Sequence, residues 1–113
     1  MASDEHYLAC MNQCMGHILE ATRHGINAVM DSVVVRDATL WNIHLVSYAA
    51  RQLSDQTTES HPEIDWQALR ELSGVLIKDP WAVDLNRVAD YVQGELPAVK
   101  ERLQPLLVSR RSK

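Results

Sequence analysis

The sequence contains no phenylalanine, and its other aromatic residues are three tryptophans and three tyrosines. Any core must therefore be built from Leu, Val, Ile, Ala and Met. Glycine and proline occur only four times each, which excludes collagen-like and low-complexity chains. Basic charge is also short: 11 Lys and Arg stand against 15 Asp and Glu, a formal net charge of −4. A surface that holds nucleic acid by charge alone carries a basic excess, so RNA is a weak expectation as a partner. The only basic run is Arg110, Arg111 and Lys113, in a C-terminal tail of residues 108–113 that reads as a solubilising end. There are two cysteines, Cys10 and Cys14. A disulfide across four residues of one helix has poor geometry, so they read as reduced thiols of a cytoplasmic protein. No apolar run approaches the roughly 18 residues that span a membrane. The acidic start Met1-Ala2-Ser3-Asp4-Glu5 also lacks the apolar stretch of a secretory signal, and no membrane partner is expected.

What remains is helical periodicity. The chain has 113 residues, 46% of them hydrophobic, enough for one domain over residues 1–107 with the tail beyond it. Leu8, Met11, Met15, Ile18, Leu19 and Thr22 recur at three- and four-residue steps. They predict a first helix from Ser3 or Asp4 to Gly25, with Asp4 as N-cap. A second helix is expected over Ser32–Leu53, apolar nearly all round through Leu40, Trp41, Ile43, Leu45, Val46, Ala49 and Ala50. Such a helix sits at the centre of a bundle or is shared with a partner, so a homodimer is expected. Ser54–Glu63 reads as a loop. A third helix starts near Asp65, turns Trp66, Leu69, Leu72 and Leu76 inward, and ends at Pro80. Asp84 caps a fourth, with Leu85, Val88 and Val92 inward, which Gly94 stops. Pro97 opens a fifth, carrying Val99, Leu103 and Leu106, whose end Pro105 frays. The fold class expected is all-α, a bundle of about five helices.

Candidate chemistry is sparse. His6, Cys10, Cys14 and His17 are of the types that ligate zinc and fall on the side of the first helix away from its apolar stripe. His6 and His17 lie about 16 Å apart along a helix, so one tetrahedral site would need ligands from a second chain. The plainer reading is a face of small residues packed against another helix, and no metal or cofactor is expected. His24, His44 and His61 are single histidines without an evident partner. No phosphate loop, nucleophile–base pair or paired carboxylates stand out.

The stretch from Trp66 to Asp84 and its surroundings is more informative. Pro62-Glu63-Ile64-Asp65-Trp66 approaches it, Val83-Asp84 closes it, and Glu95-Leu96-Pro97 follows. In order and spacing, from about Leu8 to Leu106, these pieces resemble the HepT-like (DUF86) branch of the HEPN families. The resemblance implies a homodimeric HEPN-type bundle. In active members an Arg-x4-His-x-Tyr motif faces its copy across the dimer and forms a metal-independent ribonuclease site. There the His exchanges protons with the 2′-hydroxyl or leaving oxygen and the Arg holds the phosphate. In toxin–antitoxin pairs of this type, a minimal nucleotidyltransferase partner modifies the Tyr hydroxyl.

This sequence departs at each working position. Ser73 stands at the Arg, Gly74 at the following Asn, Lys78 at the His and Pro80 at the Tyr, with only Asp79 between them kept. Lys78 would need its pKa lowered by about three units to act as a neutral base at pH 7. Pro80 has no hydroxyl to modify. Ser47-Tyr48-Ala49 also replaces the family's usual Gly-Glu-Ala. The reading that follows is a dimeric, protein-binding subunit without ribonuclease activity. The alternative is a divergent metal-independent ribonuclease toxin in which Lys78 and Arg70 contact the phosphate.

Overall fold

The computed structural model describes the backbone of residues 3–111 and the side chains of residues 3–107. Seven helices follow one another among the described residues, with no strand. They are α1 (Asp4–Ala21), α2 (Ala28–Asp31), α3 (Val33–Gln52), α4 (Asp55–Ser60), α5 (Trp66–Leu76), α6 (Leu85–Gly94) and α7 (Leu96–Arg111). The all-α class expected from the periodicity is therefore observed, with two more short helices than predicted.

Short polar side chains start most of these helices. Ser3, Ser32, Ser54, Asp65 and Asp84 each accept a hydrogen bond from a backbone N–H in the first turn of the helix they precede. Each cap satisfies a donor that the helix cannot pair itself, which stabilises by about 1 kcal/mol. Asp4 was expected as the first cap, but Ser3 fills that role. The Asp4 carboxylate instead accepts from the Ser54 N–H at 3.1 Å and from the hydroxyls of Ser54 and Thr57. It thereby ties the start of α1 to the start of α4, inside the segment expected to be a loop.

α1 and α3 form the central pair. α5 packs on α3, α7 lies along α1, and α6 leads end to end into α7. Leu8, Met11, Met15 and Ile18 of α1 are buried with Ile43, Val46 and Ala50 of α3, and Leu96 and Leu103 of α7 complete this core. Burying each large apolar side chain contributes roughly 1.5–3 kcal/mol, so this layer is what makes the short helices persist.

Three helix ends differ from expectation. α1 stops at Ala21, and the Thr22 hydroxyl and N–H both donate to the Ile18 carbonyl, at 2.9 and 3.1 Å. Gly25 comes after the stop, at φ +137°, a conformation that side-chain-bearing residues rarely adopt. α5 ends at Leu76, four residues before Pro80, with Ile77 as its C-cap. α6 ends at Gly94, as expected, but the break there is slight. The Glu95 N–H donates to the Tyr91 carbonyl and the Val99 N–H to the Glu95 carbonyl, so α6 and α7 form one nearly continuous rod. Pro105 lies inside α7, which runs on to Arg111 rather than fraying. Pro105 is exposed, so the helical bond it cannot make is lost on the solvent side. Ser112 and Lys113 of the basic tail lie outside the described residues. No helix among the described residues is long and apolar enough to cross a membrane.

Candidate functional site

The residues at the motif positions occupy the second half of α5 and the turn after it. Asp65 caps α5, Trp66 anchors it, and Leu69, Leu72 and Leu76 bury one face at helical spacing. Ser73 lies half-buried on the flank toward α3, and Gly74 is exposed. A Cβ built on Gly74 would meet nothing within 4 Å, so glycine is not required there for space. Lys78, Asp79 and Pro80 lie beyond the helix on an exposed turn. Asp79 shapes that turn: its carboxylate accepts from the Trp81 N–H at 2.9 Å and its carbonyl accepts from the Ala82 N–H at 2.9 Å. The motif positions are thus split between a helix flank and a solvent-facing turn.

Two departures from the family pattern meet in space. Ser47 is fully buried on α3. Its hydroxyl donates to the Leu69 carbonyl at 2.9 Å and accepts from the Ser73 N–H at 2.9 Å. Those two α5 groups are the ends of one regular i to i+4 helical hydrogen bond. The hydroxyl engages both, and it draws α5 close to α3 at the position where the family motif begins. The Ser47 departure was visible in the sequence, but its link to Ser73, 26 residues away, was not.

Arg70 is not an ordinary solvated side chain. It is half-buried, with Nε donating to the Ala50 carbonyl at 3.1 Å and an Nη donating to the Leu53 carbonyl at 3.4 Å. Arg51 returns the contact by donating to the Arg70 carbonyl at 2.9 Å. Carbonyls at a helix C-terminus have no partner within the helix, and a cation there is favourable. Arg70 therefore closes α3.

The four metal candidates do not converge. Cys14 is 8% exposed and belongs to the core, not to the outer face assigned to it. His6 Nε2 lies 3.5 Å from Cys10 Sγ, while His17 pairs with Asn42 on α3 at 3.4 Å. Among the described residues, no group of three or more His, Cys, Asp or Glu could hold a metal ion. Both cysteines are free. Burial, and then the neighbouring Cys10 thiolate, push the Cys14 thiol above its usual value. Folded protein treated with iodoacetamide should therefore be alkylated at Cys10 before Cys14, by at least about tenfold in rate, since the thiolate is the reacting form. Peptide mass spectrometry reads the two rates, and equal rates would contradict the placement of Cys14.

The remaining histidines have partners the sequence did not disclose. His24 accepts from Arg23 Nε at 3.2 Å, His44 stacks on Trp41 with centroids 5.4 Å apart, and His61 Nδ1 lies 3.4 Å from Glu63. Two features escaped sequence reasoning altogether. Trp81, beside the motif turn, is 92% exposed. Tyr91 on α6 is buried with no hydrogen-bond partner for its hydroxyl, and burial together with the Glu95 charge pushes its pKa up to about 12.

No solved structure matches the chain. The family model described as ribonuclease HepT-like matches residues 11–106, a span that runs from the middle of α1 to the Leu106 turn of α7 and includes Ser47, Arg70 and the positions from Ser73 to Pro80. The chain belongs to the ribonuclease HepT-like family.

Proposed function

We propose that this chain is a HepT-like protein of toxin–antitoxin type that has lost ribonuclease activity. It acts in the cytoplasm as a dimeric, protein-binding subunit whose partner is a minimal nucleotidyltransferase. The observation that carries this reading is the content of the motif positions. Ser73 is neutral, Lys78 replaces the imidazole, and Pro80 has no hydroxyl. A proton shuttle near neutral pH needs a group whose pKa lies near the working pH, and an ordinary lysine is about three units too basic. Arg70, one turn before Ser73, spends its guanidinium on the carbonyls of Ala50 and Leu53 at the end of α3. With Pro80 in place, the partner would act by binding and not by modifying this residue.

The dimer reading is supported by α3. Val34, Trp41 and Tyr48 are 79%, 60% and 48% exposed and lie seven residues apart on its outer face. Seven residues is close to two helical turns, so the three form one apolar stripe. Large apolar side chains in a row facing water mark an interaction surface.

The test is incubation of purified protein with single-stranded and structured RNA. No cleavage above a protein-free control is expected, from the native chain or from Lys78→Ala. Cleavage by the native chain that Lys78→Ala abolishes would establish the divergent-ribonuclease alternative.

A further inference from the structure

α5 packs on α3, and between α5 and the rod of α6 and α7 lies a groove of about 700 Å³. α5 lines it from Asp65 to Leu76, about 16 Å at 1.5 Å per residue. The rod of α6 and α7 forms the other wall, from Arg87 to Arg102. The floor is apolar, with Leu72, Val75 and Leu76 on one side and Val99 on the other. Small residues line it too, Ala68 on α5 and Gly94 and Ala98 on the rod, which leaves room for a second backbone to come close. A Cβ on Gly94 would meet nothing within 4 Å.

Two observations say what fits. The walls carry the carboxylates of Asp65, Glu71, Asp90 and Glu95 against only two cations, Arg87 and Arg102, so the groove favours a positive occupant. Tyr91 lines the groove, is 9% exposed, and its hydroxyl has no hydrogen-bond partner. An unpaired buried hydroxyl is a standing cost that a bound donor or acceptor removes after a small side-chain shift.

We propose that this groove receives an amphipathic helix of a partner protein, apolar on one face and lined with Lys and Arg on its flanks. The length of α5 matches three turns of such a helix. Its apolar side chains, three and four residues apart, would settle on the Leu72–Val75–Leu76 floor. Its cations would meet the wall carboxylates. The proposal goes beyond the catalytic reading and does not depend on it, because RNA cleavage and groove occupancy are measured separately.

The test uses the full chain and two fluorescein-labelled helical peptides with leucine along one face. One carries lysine and the other glutamate on the remaining positions. Fluorescence anisotropy should show the lysine peptide binding at least tenfold tighter than the glutamate peptide. Gly94→Leu, which fills the groove, should weaken that binding at least tenfold. Its folding is checked by an unchanged or raised Tm, since leucine is the better helix former. Val75→Glu should also weaken binding although it adds negative charge. Gln13→Glu, an exposed charge change on α1, should leave binding unaltered. No binding of the lysine peptide would overturn the proposal, as would equal binding of both peptides. So would binding that Gly94→Leu and Val75→Glu leave intact, because it would then be adsorption to another face.

Discussion

Trp41→Glu should convert the proposed dimer to a monomer at micromolar concentration, with the dimer Kd raised at least about 100-fold, equivalent to about 2.8 kcal/mol. The stripe on α3 is symmetric about this residue, with Val34 seven positions before it and Tyr48 seven after. A two-fold axis through Trp41 with the helices antiparallel would set Val34 against the partner's Tyr48 and stack the two Trp41 rings at the centre. Isologous contacts have this self-complementary form, and a central aromatic is the usual place where binding energy concentrates. A carboxylate introduced there would have to be desolvated without a counter-charge, at a cost of about 2–5 kcal/mol. Trp41 is 60% exposed in the single chain, so the monomer itself should unfold at nearly the same temperature. Size-exclusion chromatography with light scattering reads the outcome. A monomeric native chain would contradict the dimer, and a Trp41→Glu variant that stays dimeric would place the interface elsewhere.

Trp66→Ala should cost about 3–5 kcal/mol, as truncation of large buried aromatics does. Trp66 is 6% exposed, and its indole N–H donates to the His61 carbonyl at 2.9 Å. It therefore fills the core beneath α5 and also fixes the chain that leads into that helix. A domain of this size has roughly 5–15 kcal/mol of stability in total, so the loss is a large fraction of it. A fall in Tm of about 12–20 °C is expected, at roughly 4 °C per kcal/mol. Trp66→Phe keeps most of the packing and loses the hydrogen bond, and about 1–2 kcal/mol is expected for it. Calorimetry or circular-dichroism melting distinguishes the two variants. A loss under 1 kcal/mol for Trp66→Ala would mean that α5 is held by something other than this anchor.

The elements most legible in the sequence were those with their own local signals. The long second helix was predicted as Ser32–Leu53 and is observed as Val33–Gln52, capped by Ser32. The third predicted helix starts beside Asp65 and the Asp84 cap lies where it was expected. α4 was missed because its six residues, Asp55–Ser60, bury only Thr57 and so present no apolar stripe. It owes its place to Ser54 and to the Asp4 carboxylate reaching across from α1, a contact 50 residues long-range in sequence. Pro105 was misjudged for a related reason. A proline penalises a helix locally, but the burial of Leu103 and Leu106 on either side carries α7 through it.

The candidate site divides in the same way. Which residue types stand at the motif is a property of the sequence alone, and with it the absence of an imidazole, a guanidinium and a phenol there. What those residues do is a property of the packed structure. Arg70 closes α3, Ser47 binds the backbone at Ser73, and Cys14 joins the core, each through a partner too distant in sequence for periodicity to find. The groove beside Tyr91 likewise exists only because α5 and the α6–α7 rod pack on different neighbours and leave a gap. Helical spacing and capping act over a few residues and can be read along the chain. Hydrogen bonds between helices, and the spaces left between them, depend on how whole elements pack, and tertiary structure alone decided those.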